Sequence, residues 1–308
     1  MKFIKLISVV CFLCFTIAST ALAETEKDIS KKTSRIERYI YGNELNGNID
    51  NRLRQIEENL FGRNTGKKTA EKATYLHDFI FKGTSQSLSL DMKLSYLEWK
   101  IFNKTCSGTL DKRLTNLDKV VFGQISLEPM AFRLEQLVHM VIEDGYIQLQ
   151  SVVIPEGTII KLKTKDTISS KKAKKGDIVP VVMKNDLFIN NNILVMTNDG
   201  IVSAEVKAVR RSGRFGRTGY INLDLSNVET MDSTLLPVSV EDIGEKYDKK
   251  KIGMAAGAST LGYIVLGPIG IAGGAFIKGG EIEIPADTEI TVKTTESRRV
   301  TGVLVPKK

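Results

Sequence analysis

Ile49-Asp50-Asn51-Arg52-Leu53-Arg54-Gln55-Ile56-Glu57-Glu58-Asn59-Leu60-Phe61-Gly62 decides the reading of the first half of the chain. Its apolar residues Ile49, Leu53, Ile56 and Leu60 fall at offsets of +4, +3 and +4, one stripe of a helix of roughly three turns. Five other segments keep these offsets. They are Ile29, Thr33, Ile36, Ile40; Thr69, Ala73, Leu76, Ile80; Leu90, Leu94, Leu97, Ile101; Leu110, Leu114, Leu117, Val121; and Met130, Leu134, Leu137, Val141. An aromatic residue closes five of the six: Tyr41, Phe61, Phe81, Phe102 and Phe122, with Ile142 in the sixth. Gly42, Gly62, Gly123 or Asn103 follows, and Gly83 comes one place late, after Lys82. These residues accept the left-handed conformation that ends a helix. Asp50, Asp91 and Asp111 stand at helix starts, where a carboxylate suits the dipole.

A basic residue precedes the second apolar position each time: Lys32, Arg52, Lys72, Lys93, Arg113 and Arg133. The spacing also fits a heptad, but the glycine-bearing gaps break it, so a long coiled coil fits less well than an array. Helices this short are marginal alone and must bury one another's stripes. The expectation is an array of six short, roughly 20-residue helical repeats over 24–144, serving as a spacer or as a docking surface for other envelope proteins.

Ahead of the array, residues 1–23 read as a signal peptide, with Lys2 and Lys5, an apolar core from Leu6 to Ile17, and Ala21-Leu22-Ala23 as the cleavage site. Cys11 and Cys14 leave with it, so Cys106 is the lone cysteine of the mature chain. It can bridge two chains or stay an unpaired loop residue, and no internal disulfide is available. The formal net charge of +8 falls by two when Lys2 and Lys5 are removed. For an exported chain this implies membrane headgroups, lipopolysaccharide or wall polymers as partners rather than nucleic acid.

After Gly145 the apolar period changes to alternation. Strands are expected at Tyr146 to Ile154, Thr158 to Leu162, Ile178 to Met183, Ile193 to Met196, Ile201 to Val209, Tyr220 to Leu225 and Leu235 to Val240. One fragment recurs: Ile154-Pro155-Glu156-Gly157-Thr158 and Ile284-Pro285-Ala286-Asp287-Thr288 each lead into a strand, and Asn198-Asp199-Gly200 before Ile201 is a weaker third copy. Such turns between short strands imply a barrel or sandwich over 145–308. The fold class expected is therefore α+β and multidomain: a helical repeat array, then an all-β barrel-like domain with a Gly-rich apolar insertion.

Two stretches of this half could carry binding. The loop after Val209 holds Arg210, Arg211, Arg214 and Arg217 among glycines, suited to phosphate or carboxylate. The run 252–277 has no charge and carries Gly253, Gly257, Gly262, Gly267, Pro268, Gly270 and Gly274. It is long enough to cross a bilayer as a helix, though Gly267-Pro268 would break it near the middle. The readings left open are a membrane or oligomer arm and a loop buried under the barrel.

Residues 150–305 resemble the outer-membrane β-barrel domain of conjugation and type IV secretion scaffold proteins of the TrbI-like kind. The resemblance rests on the Ile-Pro-x-Gly-Thr turn, the strand after it, and an apolar Gly-rich insertion before a second such turn. It implies a ring of subunits whose insertion forms a membrane arm. The helical segments resemble repeats of uncharacterised exported bacterial proteins, which implies no activity.

No catalytic, cofactor or metal motif stands out. His77 and His139 are the only histidines, and neither a C-x-x-C, an H-E-x-x-H nor a nucleophile elbow is present. Trp99 reads as a packing residue. The function expected is a non-enzymatic structural or scaffold protein of the periplasm, cell envelope or outer membrane, homo-oligomeric and without cofactors, part of a secretion or envelope-spanning assembly. The alternative is a soluble periplasmic or wall-associated binding module for an anionic envelope polymer.

Overall fold

The computed structural model describes residues 26–83, 87–213, 219–243, 263–266 and 281–306. The signal peptide read over 1–23 lies outside them. Six helices come first: α1 over 26–41, α2 Ile49–Phe61, α3 Thr69–His77, α4 Leu90–Phe102, α5 Leu110–Phe122 and α6 Met130–Val141. Antiparallel sheets follow, so the α+β class holds. By packing, the chain divides into two compact units, one up to Asp91 with Gly108–Asp144, the other Met92–Ser107 with everything from Gly145.

The caps follow from side-chain chemistry. Asn48 accepts a hydrogen bond from the Asn51 N–H at the start of α2, and Thr109 does so for Lys112 at α5. Gly62 and Gly123 close α2 and α5 in the left-handed conformation, and Asn103 does the same after α4. The third helix differs because it passes into a π turn, Asp78–Lys82. That wider turn absorbs one extra residue, which is why Lys82 stands where a cap is expected and Gly83 donates its N–H to the Asp78 carbonyl at 2.8 Å.

In the helical unit α2 packs on α3 and α6, and α5 packs on α6. The chain also curls back on itself. A Cβ on Gly42, after α1, would meet the Thr109 methyl at the start of α5, and one on Gly62 would meet Pro129 at the start of α6. The C-terminal ends of α1 and α2 are thus covered by the starts of α5 and α6. The last stripe position is buried in Ile40, Leu60 and Ile80, but half-exposed in Ile101, Val121 and Val141.

Ion pairs lock successive helices at a separation of fifteen residues. Arg52 donates to the buried Glu37 at 2.7 Å, Lys72 lies 3.0 Å from the buried Glu57, and Arg133 lies 2.8 Å from the buried Asp118. The same acids hold the loops after their own helices. Glu57 accepts from the Thr65 hydroxyl, Asp118 from the Ser126 N–H at 3.1 Å, and Glu98, at the same place in α4, from the Cys106 N–H at 3.0 Å.

The strand unit begins with β1 Leu149–Ile154, β2 Ile159–Thr164, β3 Ile168–Ser169, β4 Ile178–Met183, β5 Leu187–Ile189, β6 Ile193–Met196 and β7 Ile201–Arg210. It continues with β8 Tyr220–Asp224, β9 Asn227–Glu229, β10 Leu235–Ile243, β11 Tyr263–Leu266, β12 Glu283–Ile284, β13 Glu289–Thr294 and β14 Arg298–Leu304. An eight-stranded antiparallel sheet, in the order β11-β8-β7-β4-β2-β13-β10-β9, curls into a half-barrel. A four-stranded sheet, β1-β14-β6-β5, and the pair β12-β3 complete the unit. Alternation places Ile160 and Leu162, Val202, Ala204 and Val206, Ile221 and Leu223, and Ile290 and Val292 in one core with Ile193 and Val195 of the smaller sheet.

The recurring turns form a pseudo-two-fold at the centre of this unit. Counterparts lie 130 positions apart: Ile154 with Ile284, Thr164 with Thr294. The Thr158 hydroxyl donates to the Pro155 carbonyl at 2.7 Å, and Thr288 does the same to Pro285. The end of each strand then grips the other copy's turn. The Thr294 hydroxyl donates to the Pro155 carbonyl at 2.8 Å, and the Thr164 hydroxyl to the Pro285 carbonyl at 2.7 Å. Gly157 and Asp287 take the required positive φ, and each donates its N–H to the backbone of the opposite strand end. The outer pairings obey the same exchange: Ile154 faces Arg298 between β1 and β14, and Ile284 faces Ile168 between β12 and β3. The weaker third copy keeps the backbone part, with the Asp199 N–H donating to Met183.

Candidate interaction sites

The arginine loop leaves the half-barrel at the tip of β7 and β8, where Arg210 faces Tyr220 across the ladder. Arg210 and Arg211 are exposed there, whereas Arg214 and Arg217 lie outside the described residues. Both roots of the loop are clamped. The Ser212 hydroxyl donates to the Glu281 carboxylate at 2.9 Å, and the buried Ser170 hydroxyl donates to it as well. On the returning side Gly219 is buried, and a Cβ there would come within 2.4 Å of the Ser170 oxygen and 3.0 Å of the Ile282 nitrogen. Only glycine lets the chain pass so close. The Ser170 hydroxyl, then Ser212, holds the Glu281 carboxyl below its ordinary value.

Sequence reasoning missed the neighbour of this loop. Ser170 opens a turn of exposed lysines, Lys171, Lys172, Lys174 and Lys175, ended by Gly176, whose N–H donates to the Val206 carbonyl of β7. Asp177 accepts from the Lys174 N–H at 2.8 Å and fixes the bend. Six cations thus collect at one edge of the strand unit, two from the arginine loop and four from the lysine turn. The run Lys-Lys-Ala-Lys-Lys-Gly was visible as a charged turn. Its proximity to the arginines was not, because 35 residues separate Lys175 from Arg210.

Part of the apolar run lies beside the same hairpin. Of 252–277 the structure describes Tyr263–Leu266, which is strand β11, with Leu266 facing Ile221 of β8. Gly253, Gly257, Gly262, Gly267, Pro268, Gly270 and Gly274 lie outside the described residues. On the far side of the run, Glu281 is the residue that clamps Ser212 and Ser170. Among the described residues no helix is long and apolar enough to cross a membrane.

The remaining candidates do not converge on chemistry. His77 sits beside Asp78, with its Nδ1 3.1 Å from the carboxylate, and burial pushes its pKa down. His139 lines a groove of about 600 Å³ along α5 and α6, far in sequence from His77. No group of three or more His, Cys, Asp or Glu among the described residues could hold a metal ion. Cys106 is half-buried beside Lys104, Lys163 and Lys165 in a cleft of about 410 Å³, where Lys163 is paired with Asp199 at 2.9 Å. Trp99 has a specific role: its indole N–H donates to Asp186 at 2.8 Å, and its ring meets Tyr96 and Phe188. No family model matches the chain, and no curated protein matches it.

Proposed function

We propose that the chain is a non-enzymatic, exported scaffold of the cell envelope that associates with a membrane, or with copies of itself, at the basic edge of its strand unit. The reading includes the finer architecture: six copies of one helical unit as a stem, and the run 252–277 as the associating arm of a barrel-like domain. One observation carries it. Lys171, Lys172, Lys174, Lys175, Arg210 and Arg211 collect beside the β7–β8 hairpin, where Tyr263–Leu266, inside the uncharged run, pairs with β8 and Glu281, beyond the run's end, is tied to Ser212. Cations around an apolar element suit a surface whose headgroups are anionic and whose interior is oily. The TrbI-like resemblance points the same way.

The soluble module for an anionic envelope polymer remains the second reading, since the same six cations attract a polymer as readily as a bilayer. Vesicle sedimentation separates the two. The mature chain should pellet with phosphatidylglycerol vesicles but not with phosphatidylcholine, and part of it should resist a wash in 1 M salt, a concentration at which the Debye length is only about 3 Å. Complete release by salt removes the insertion reading and leaves the polymer module. Failure to pellet with either vesicle removes the membrane from the account.

A further inference from the structure

The outer face of α1 carries a second cationic feature, on the other unit of the chain. Lys27, Lys31, Arg35 and Arg38 follow one another at +4, +4 and +3, so they form a single stripe, and all four are exposed. The Cα positions of Lys27 and Lys31 lie about 6 Å apart along the axis, and the stripe spans about 16 Å. Together with Ser30 and Ser34 these side chains line a groove of about 400 Å³. Arg35 lies over the Phe81 ring at 4.2 Å, which fixes its guanidinium in place while leaving it at the surface.

The stripe is not a requirement of helix packing. Corresponding positions in α2 hold Gly47, Asn51, Gln55 and Glu58, and those in α6 hold Glu128, Phe132, Gln136 and His139. The structural cation of α1 is a different residue, Lys32, which pairs with Asp28 at 2.7 Å and donates to Thr74. Four cations on the outward face of one helix therefore need another account. Among the acids near the stripe, Asp28 interacts with Lys31, and Glu44 is exposed and 3.0 Å from Arg38. A pair of that kind contributes little and yields readily to a competing anion.

We propose that this face binds a linear phosphate polymer, one anionic group per turn of α1. Two lysines supply point charges, two arginines supply planar forks for non-bridging oxygens, and Ser30 supplies a hydroxyl donor between them. A regular row along a rigid helix matches a chain with evenly repeated charge better than it matches a single small anion. The site stands on the helical unit and goes beyond the scaffold reading, whether or not the strand unit meets a membrane.

The test is fluorescence anisotropy of the full mature chain with labelled linear polyphosphate. Binding should weaken with salt, with a log–log slope of about −3 for four contacts on a single-stranded polyanion. Lys27→Gln/Lys31→Gln/Arg38→Gln should cut affinity at least tenfold at low salt and reduce the slope to about −1. These side chains are exposed, so an unchanged helical circular dichroism spectrum certifies the variant's fold. Arg210→Gln/Arg211→Gln should leave intact the loss of affinity and slope that the α1 substitutions cause, while itself losing affinity for phosphatidylglycerol vesicles, so failure of this site and failure of the membrane edge give different patterns. The proposal is overturned if wild type shows no binding, if the triple variant binds equally well, if the Arg210/Arg211 variant is the one that loses binding, or if polygalacturonate binds as tightly as polyphosphate.

Discussion

Arg133 reaches back fifteen residues to Asp118, and the carboxylate it meets at 2.8 Å is fully buried. The same acid takes the Ser126 N–H, so one side chain fixes both the loop and the helix after it. Asp118→Ala leaves a guanidinium with 5% of its surface exposed, and Asp111, 3.2 Å away but largely solvated, compensates only in part. The expected loss is about 3 kcal/mol, the lower end of the range for breaking a buried pair. The double variant Asp118→Leu/Arg133→Met should recover most of it. Urea unfolding followed by helical circular dichroism measures both, and equal losses in the single and double variants would discredit the pair as the lock.

Thr164 and Thr294 are buried, and each binds the opposite copy of the Ile-Pro turn in the same way, donating to a proline carbonyl and accepting from a threonine N–H. Thr164→Val and Thr294→Val each remove both bonds while keeping the shape. Each should cost about 1 kcal/mol, since the turn threonine's N–H loses its acceptor while the proline carbonyl keeps the hydroxyl of Thr158 or Thr288. Because the surroundings are exchanged by the pseudo-two-fold, the two losses should agree within about 0.5 kcal/mol. A large inequality would mean that the geometric equivalence does not extend to energetics.

Legibility followed the range of the interaction. The helix stripes and Gly caps depend on neighbours three to five residues away, and Ile49 to Gly62 displayed them directly. The alternation from Leu149 onward and the paired Ile-Pro turns were equally local. The buried acids Glu37, Glu57 and Asp118 also stand at a constant place in their helices, but an acid beside an apolar stripe reads as solvated until its partner fifteen residues on is recognised. Trp99 was harder still, because its hydrogen-bond partner Asp186 is 87 positions away on a strand-unit loop. The basic edge was half visible: the arginines announced themselves, while Lys171 to Lys175 joined them only through Ser170, Glu281 and the ladder of β7.

Gly219 and Gly123 separate two reasons for glycine. Gly123 has φ +74 and nothing within 4 Å of a built Cβ, so Gly123→Ala should cost about 1 kcal/mol through backbone strain alone. Gly219→Ala drives a methyl against Ser170 and the backbone of Ile282, and should cost about 1–3 kcal/mol through overpacking. The distinguishing measurement is local. Only the Gly219 variant should speed hydrogen exchange at the Ile282 N–H, which donates to Ser170 at 3.0 Å. Equal exchange in both variants would show that the loop root is not clamped there.

Glu281 makes the loop root sensitive to acid. Its carboxyl is held below its ordinary value, chiefly by the Ser170 hydroxyl and then by Ser212. A depressed folded-state pKa contributes stability that is present above the unfolded value and is lost as pH falls through the folded one. The effect is therefore constant near neutrality and disappears only below the usual carboxylate range. Ser170→Ala should move the Glu281 titration, followed by carboxyl carbon resonance, up toward the ordinary value, and Ser212→Ala should move it the same way by less. In the wild-type chain the Ser212 amide resonance should titrate with the same midpoint, because its N–H and hydroxyl both face that carboxylate. Once protonated, Glu281 no longer offsets Arg210, Arg211 and the lysine turn, so binding to phosphatidylglycerol vesicles should strengthen below that midpoint. An amide that titrates elsewhere, or vesicle binding that is flat through it, would detach Glu281 from the basic edge.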